Sequence, residues 1–86
     1  MPRLHLTGSI RERVGGLGTI DVEGDTVAAV IAALETAHPA LRGWVTDERG
    51  ALRRHVKVFH AGAAIALDAP TAPGDVLHIV TAISGG

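Results

Sequence analysis

Thr26-Val27-Ala28-Ala29-Val30-Ile31-Ala32-Ala33-Leu34-Glu35-Thr36-Ala37-His38-Pro39 is the stretch on which the fold turns. Val27, Val30, Ile31 and Leu34 fall at i, i+3, i+4 and i+7, a single apolar stripe along a helix. The alanines between them raise helix propensity. Thr26 is placed as an N-cap, its hydroxyl able to accept a free amide hydrogen of the first turn. Asp25 beside it puts negative charge near the positive end of the helix. Pro39 disfavours helical backbone at His38, so the helix is expected to stop near Ala37. One striped helix has one apolar face to bury, and it needs a partner layer.

The flanking segments supply that layer as strands. Leu4 and Leu6 alternate with His5 and Thr7, and Thr19-Ile20-Asp21-Val22 alternates again. With Gly15-Gly16-Leu17-Gly18 as the turn, Arg3–Ile10 and Gly18–Val22 are expected to form a β-hairpin. Beyond the helix, Pro39 to Val45 reads as a short helical turn with Leu41 and Val45 as its apolar pair. Thr46 to Gly50 is a polar loop. His55 to His60 alternates strongly, a central strand with Val56 and Val58 inward. Ala63-Ala64-Ile65 reads as a short edge strand, and Asp68 to Gly74, with Pro70 and Pro73, as a loop. Asp75 to Ala82 is the last strand, with Leu77 and Ile79 inward. The order β-β-α-β-β-β gives an α+β roll, a mixed sheet with one main helix on one face. Its first and last strands are expected to pair in parallel through the long crossover.

Composition narrows the functional classes. Eighty-six residues make one small domain, burying only about 60% of its unfolded surface. Apolar residues are 47% of the chain, yet the only aromatics are Trp44 and Phe59, so the core must be aliphatic. A net charge of −1 provides no field for nucleic acid or an anionic membrane. The absence of Cys excludes disulfides, thiolate metal sites and a Cys nucleophile. Met1-Pro2-Arg3-Leu4-His5 is no signal peptide, and the longest apolar run, Val27 to Leu34, is too short to cross a bilayer. A cytoplasmic domain is expected.

The chain closes on Ile83-Ser84-Gly85-Gly86. A terminal Gly-Gly makes an arm without side chains, able to enter a channel too narrow for other residues. The five residues from Ala82 would reach about 17 Å when extended. If Val56 and Val58 face the helix, then His55, Lys57 and Phe59 face solvent, and His78 and Val80 face the same way. Phe59, His78 and Val80 then form a candidate partner-binding surface with Phe59 and Val80 as an exposed apolar patch; the alternative is that its neighbours half-cover Phe59. His5, His55 and His78 could share that face. No histidine pair has the i, i+4 spacing of common zinc motifs, so the five histidines read as scattered surface residues and no metal site is expected. Arg53-Arg54 with Lys57 is a small basic cluster, either solvated or a dock for an acidic partner. Trp44 is expected to cover one end of the core, and Arg11 with Glu12 to form a structural loop pair. Gly15-Gly16-x-Gly18 lacks the Lys-Ser/Thr and following helix of a phosphate loop.

The element order and the terminal residues resemble the ubiquitin-like β-grasp fold and the ThiS/MoaD sulfur-carrier family. Leu77-His78-Ile79-Val80-Thr81-Ala82-Ile83-Ser84-Gly85-Gly86 runs without a gap beside ubiquitin's LHLVLRLRGG, and Lys57 to Gly62 is similar to its RLIFAG. Ile10-Arg11-Glu12-Arg13-Val14-Gly15 is similar to a segment after the first strand of MoaD-like proteins, and Gly24-Asp25-Thr26-Val27 to that family's helix start. Gly50 to Gly62, with Leu52-Arg53-Arg54-His55-Val56, looks most like CysO-type carriers. Ubiquitin's two tail arginines correspond to Ala82 and Ser84 here, a departure that favours a sulfur carrier over a ubiquitin-type modifier.

The resemblance implies residues 1–82 as the β-grasp domain and 83–86 as a flexible tail that enters a partner's active site. It implies that an E1-like (ThiF/MoeB-type) adenylating enzyme uses ATP to activate the Gly86 carboxylate. Sulfur then displaces AMP, leaving a thiocarboxylate for a sulfur-accepting biosynthetic enzyme that makes cysteine or another sulfur-containing metabolite. The chain itself would be a carrier and co-substrate, with no catalytic residue and no bound cofactor. The alternatives are a modifier joined to lysines through Gly86, or a non-activated β-grasp subunit of a complex such as molybdopterin synthase.

Overall fold

The computed structural model describes residues 1–81. Its elements run β1 (Arg3–Leu6), α1 (Gly8–Arg13), β2 (Thr19–Asp21), α2 (Val27–Ala37), a 3-10 turn at Pro39–Leu41, β3 (Val56–His60), β4 (Ala63–Ala64) and β5 (Val76–Thr81). The five strands form one sheet in the order β2-β1-β5-β3-β4. β1 and β5 are parallel, as a long crossover requires, and the other pairs are antiparallel. This is the ubiquitin-like β-grasp arrangement, a mixed sheet with helices on one face. β3 is interior to the sheet, but the central position belongs to β5.

α2 begins and ends where its sequence directs. Thr26 is extended and its hydroxyl accepts from the Ala29 amide at 3.1 Å. The two preceding free amides, Val27 and Ala28, donate to the Ala69 and Leu67 carbonyls at 3.0 and 2.8 Å. The helix start is thereby sewn to the loop before β5. Thr71 adds a bond from its hydroxyl to the Gly24 carbonyl at 2.7 Å. Gly24 itself lies so close to the helix that a Cβ there would stand 2.6 Å from the Val30 amide nitrogen. Val27, Val30, Ile31 and Leu34 are all buried. They pack on Leu4 and Leu6 of β1, Val56 and Val58 of β3, and Leu77 and Ile79 of β5. Leu41 and Val45 close one end of this aliphatic core, and among the described residues no polar side chain is buried.

The segment after β1 corrects the sequence reading. The first strand ends at Leu6, not Ile10, and Gly8 to Arg13 form a short helix. The chain can turn here because Gly8 has φ +59°, and because its bare Cα admits the Thr81 hydroxyl, which a Cβ would strike. The helix then swings Ile10 into the core, with Val14 packed against it. Thr7 anchors the corner by donating from its hydroxyl to the Ile79 carbonyl at 3.0 Å, a contact between residues 72 apart in sequence. β1 and β2 therefore pair antiparallel as expected, but through a helical connection rather than a simple hairpin turn.

Two smaller expectations also change. Arg11 belongs to α1 rather than a loop; its Nε donates to the Gly16 carbonyl at 2.8 Å and closes the helix end, with Glu12 as a helical neighbour rather than a side-chain partner. Trp44 is 38% exposed and does not cap the core; the Arg13 guanidinium lies 3.9 Å from its ring centroid. That stacking is a cation–π contact between α1 and the turn that follows α2.

Candidate functional site

The sheet face turned away from the helices is built from the residues that alternate with the core. Arg3 and His5 come from β1, Thr19 and Asp21 from β2, Lys57 and Phe59 from β3, and Val76, His78 and Val80 from β5. Strand pairing sets them in rows. His5 pairs with Thr19 on one side and with His78 on the other, His78 in turn with Phe59, and Phe59 with Ala64. One row therefore reads Thr19, His5, His78, Phe59, Ala64 across the whole sheet. Lys57 pairs with Val80 in the next row.

Phe59 and Val80 are half-buried and His78 is exposed. The three residues named for a partner surface share this face. Phe59 faces His78 directly and meets Val80 only on the diagonal, a separation an aromatic ring can span. Phe59 is partly covered, as the alternative reading of it expected. His78 further stacks on His5, with ring centroids 4.8 Å apart and planes inclined by 21°. His55 stands one residue before β3 and takes no part in the stack. The histidines are thus not all scattered; two meet.

Charge borders this face. Arg3 Nε donates to Asp21 Oδ1 at 2.8 Å, and its Nη2 to Oδ2 at 3.3 Å. The guanidinium holds the Asp21 carboxyl below its ordinary range, by hydrogen bonding first, and the carboxylate raises Arg3 in return. Lys57 is exposed. The expected cluster of Arg53, Arg54 and Lys57 is not one unit, because Arg53 is committed to the Gly43 carbonyl. His60, on the helix-side face, sits 3.5 Å from Asp75.

The β5 strand carries this face toward the chain end. The proposed tail residues Ile83, Ser84, Gly85 and Gly86 lie outside the described residues. Among the described residues no group of three or more His, Cys, Asp or Glu could hold a metal ion. Among the same residues no helix is long and apolar enough to cross a membrane. No nucleophile–base pair is assembled on this surface. The described surface sets an aromatic ring, a branched aliphatic residue, two imidazoles and a lysine on one sheet face.

Comparison with known proteins places this architecture. The sequence model of the ThiS family matches residues 4–86. Small archaeal modifier protein 1 of Haloferax volcanii is 44% identical over 68 residues, spanning 78% of each chain. A crystal structure of that archaeal protein superposes with a TM-score of 0.84 at 39% identity, over 99% of this chain and 98% of the other. CysO of Mycobacterium tuberculosis superposes with a TM-score of 0.85 at 25% identity, over 96% of this chain and all of the other. The backbone is equally close to both, but the sequence is nearer the archaeal modifier. The specific lean toward CysO-type carriers is therefore not upheld.

Proposed function

The chain belongs to the ThiS family, a family of carriers and modifiers rather than enzymes, and from that premise we propose that it is a small protein modifier activated at Gly86. An ionised α-carboxylate, with a pKa of about 3.3–3.7, does not react with nucleophiles at neutral pH. An E1-like partner would convert it with ATP into an acyl-adenylate, releasing pyrophosphate. A lysine amine of a target protein then attacks the Gly86 carbonyl carbon, AMP leaves with the bonding pair, and an isopeptide bond forms. ATP would be consumed by the partner and not held by this chain.

The observation that carries this reading is the 44% identity to an archaeal protein named as a modifier. It outweighs the missing tail arginines, which had favoured sulfur transfer. Sulfur carriage is the second reading, supported by the ThiS family match. It shares the adenylation step and differs only in the nucleophile that displaces AMP. In both readings residues 83–86 form the arm that enters the partner, and Phe59, His78 and Val80 form the surface that the partner holds.

Mass spectrometry of native cell extract distinguishes the two. Lysines branched through Gly86 are the expected result; because no Lys or Arg follows Lys57, they carry the fragment Val58–Gly86 after trypsin and are traced to this chain by their loss on its deletion. A gain of about 16 Da on free chain, oxygen replaced by sulfur, without lysines branched through Gly86 would establish sulfur carriage instead. Deleting Gly86 should abolish both products while leaving thermal stability unchanged; a truncated chain that is still activated would refute the role of Gly86.

A further inference from the structure

The geometry points to a transition-metal site on the outer sheet face, made by His5 and His78. The two residues are direct partners on the parallel strands β1 and β5. Their rings lie 4.8 Å apart and nearly parallel. Both backbones are fixed at the middle of the sheet, between Leu4 and Leu6 and between Leu77 and Ile79, all buried. The two Cβ atoms therefore cannot drift apart, and little freedom remains to be lost on chelation.

Two imidazole nitrogens sharing one cation at about 2.0–2.1 Å each would stand roughly 3 Å apart. With centroids 4.8 Å apart, the rings must tilt toward each other to bring one nitrogen of each to that separation. Their lone pairs run side by side rather than converging, so binding needs a rotation about χ2, a soft torsion for histidine. The ion would be a borderline divalent metal, Cu²⁺ ahead of Ni²⁺ and Zn²⁺. Imidazole is the matching ligand, and the face carries no carboxylate free for Ca²⁺ or Mg²⁺, since Asp21 is held by Arg3. Two protein ligands leave coordination positions open, to be filled by water or by a ligand group brought in from outside.

This inference does not depend on how Gly86 is used. It is tested by titrating the full chain with Zn²⁺ alone and following the histidine ring protons by NMR, with calorimetry for Cu²⁺ and Ni²⁺. The His5 and His78 resonances should shift together and saturate at one equivalent, while those of His38, His55 and His60 stay still. His5→Gln and His78→Gln should each weaken binding at least about ten-fold, and His60→Gln should leave it unchanged. Saturation centred on His60 and Asp75, or on the terminal amine, overturns the assignment. So does undiminished binding by either glutamine variant, or no binding at millimolar metal. The wild-type resonances decide the matter even if a variant fails to fold.

Discussion

The two faces of the sheet are made by the same strands and share nothing else. The helix-side residues of β1, β3 and β5 are Leu4, Leu6, Val56, Val58, Leu77 and Ile79, all buried and all aliphatic. One position along each strand, the outer face shows Arg3, His5, Lys57, Phe59, His78 and Val80. The inner face is interchangeable in kind, because any aliphatic set of the right volume would fill it. The outer face is not, because nothing in folding asks for a stacked imidazole pair or an aromatic beside it. Alternation therefore separates what holds the domain together from what remains for recognition.

The sharpest way to break this contrast is to compare Ile79 with Phe59. Ile79→Ala removes a fully buried side chain and should cost about 2–5 kcal/mol, measured by urea unfolding. In a domain of this size that is a large share of the total stability. Phe59→Ala, on the other side of the same sheet, should cost only about 1 kcal/mol, because the ring is half-covered. It should instead weaken binding to the activating enzyme by about ten-fold or more, the behaviour of an aromatic anchor. A Phe59 variant that unfolds like Ile79→Ala would place this ring in the core and dissolve the contrast.

The smallest effect is expected at Asp21→Asn. Arg3 and Asp21 are exposed, so solvent and salt screen their attraction. The sign is still definite. Asp21 has a lowered pKa when folded, so its contribution is full above the unfolded carboxylate value and fades as pH falls through the folded one. The melting temperatures of wild type and variant should differ slightly at neutral pH and low salt, then converge in acid. Divergence in acid would contradict the direction of the shift.

Much of this was legible in the residues. The stripe Val27, Val30, Ile31, Leu34 with Thr26 before it and Pro39 after it fixed α2 almost to the residue, because stripe, cap and stop all agree. Alternation in Leu4-His5-Leu6 and Leu77-His78-Ile79 assigned the faces correctly. The helix α1 was not legible: six residues span under two turns, and Ile10 with Val14 is too short a repeat to outweigh a neighbouring strand pattern. Its trigger is Gly8, whose positive φ answers to Thr81 at the far end of the chain. The candidate surface was legible as a face but not as an arrangement. Whether Phe59 meets His78 or Val80 depends on the register of β3 against β5, which no local signal encodes across the intervening loop. The His5–His78 pair lay within reach, since parallel pairing of the first and last strands sets two Leu-His-aliphatic triplets side by side. The tail is a different matter, its role resting on resemblance and family rather than on any described contact.

The position of β5 has a consequence for how the protein is made. The strand at the middle of the sheet is translated after every other described element, so a nascent chain carries β1 and β3 with no strand yet between them. Its aliphatic face must wait, exposed, until residues 76–81 clear the ribosome, and long-range pairing of this kind is slow even then. The same constraint acts as a proofreading step: a product terminated before this strand cannot assemble the sheet, and is left to proteases.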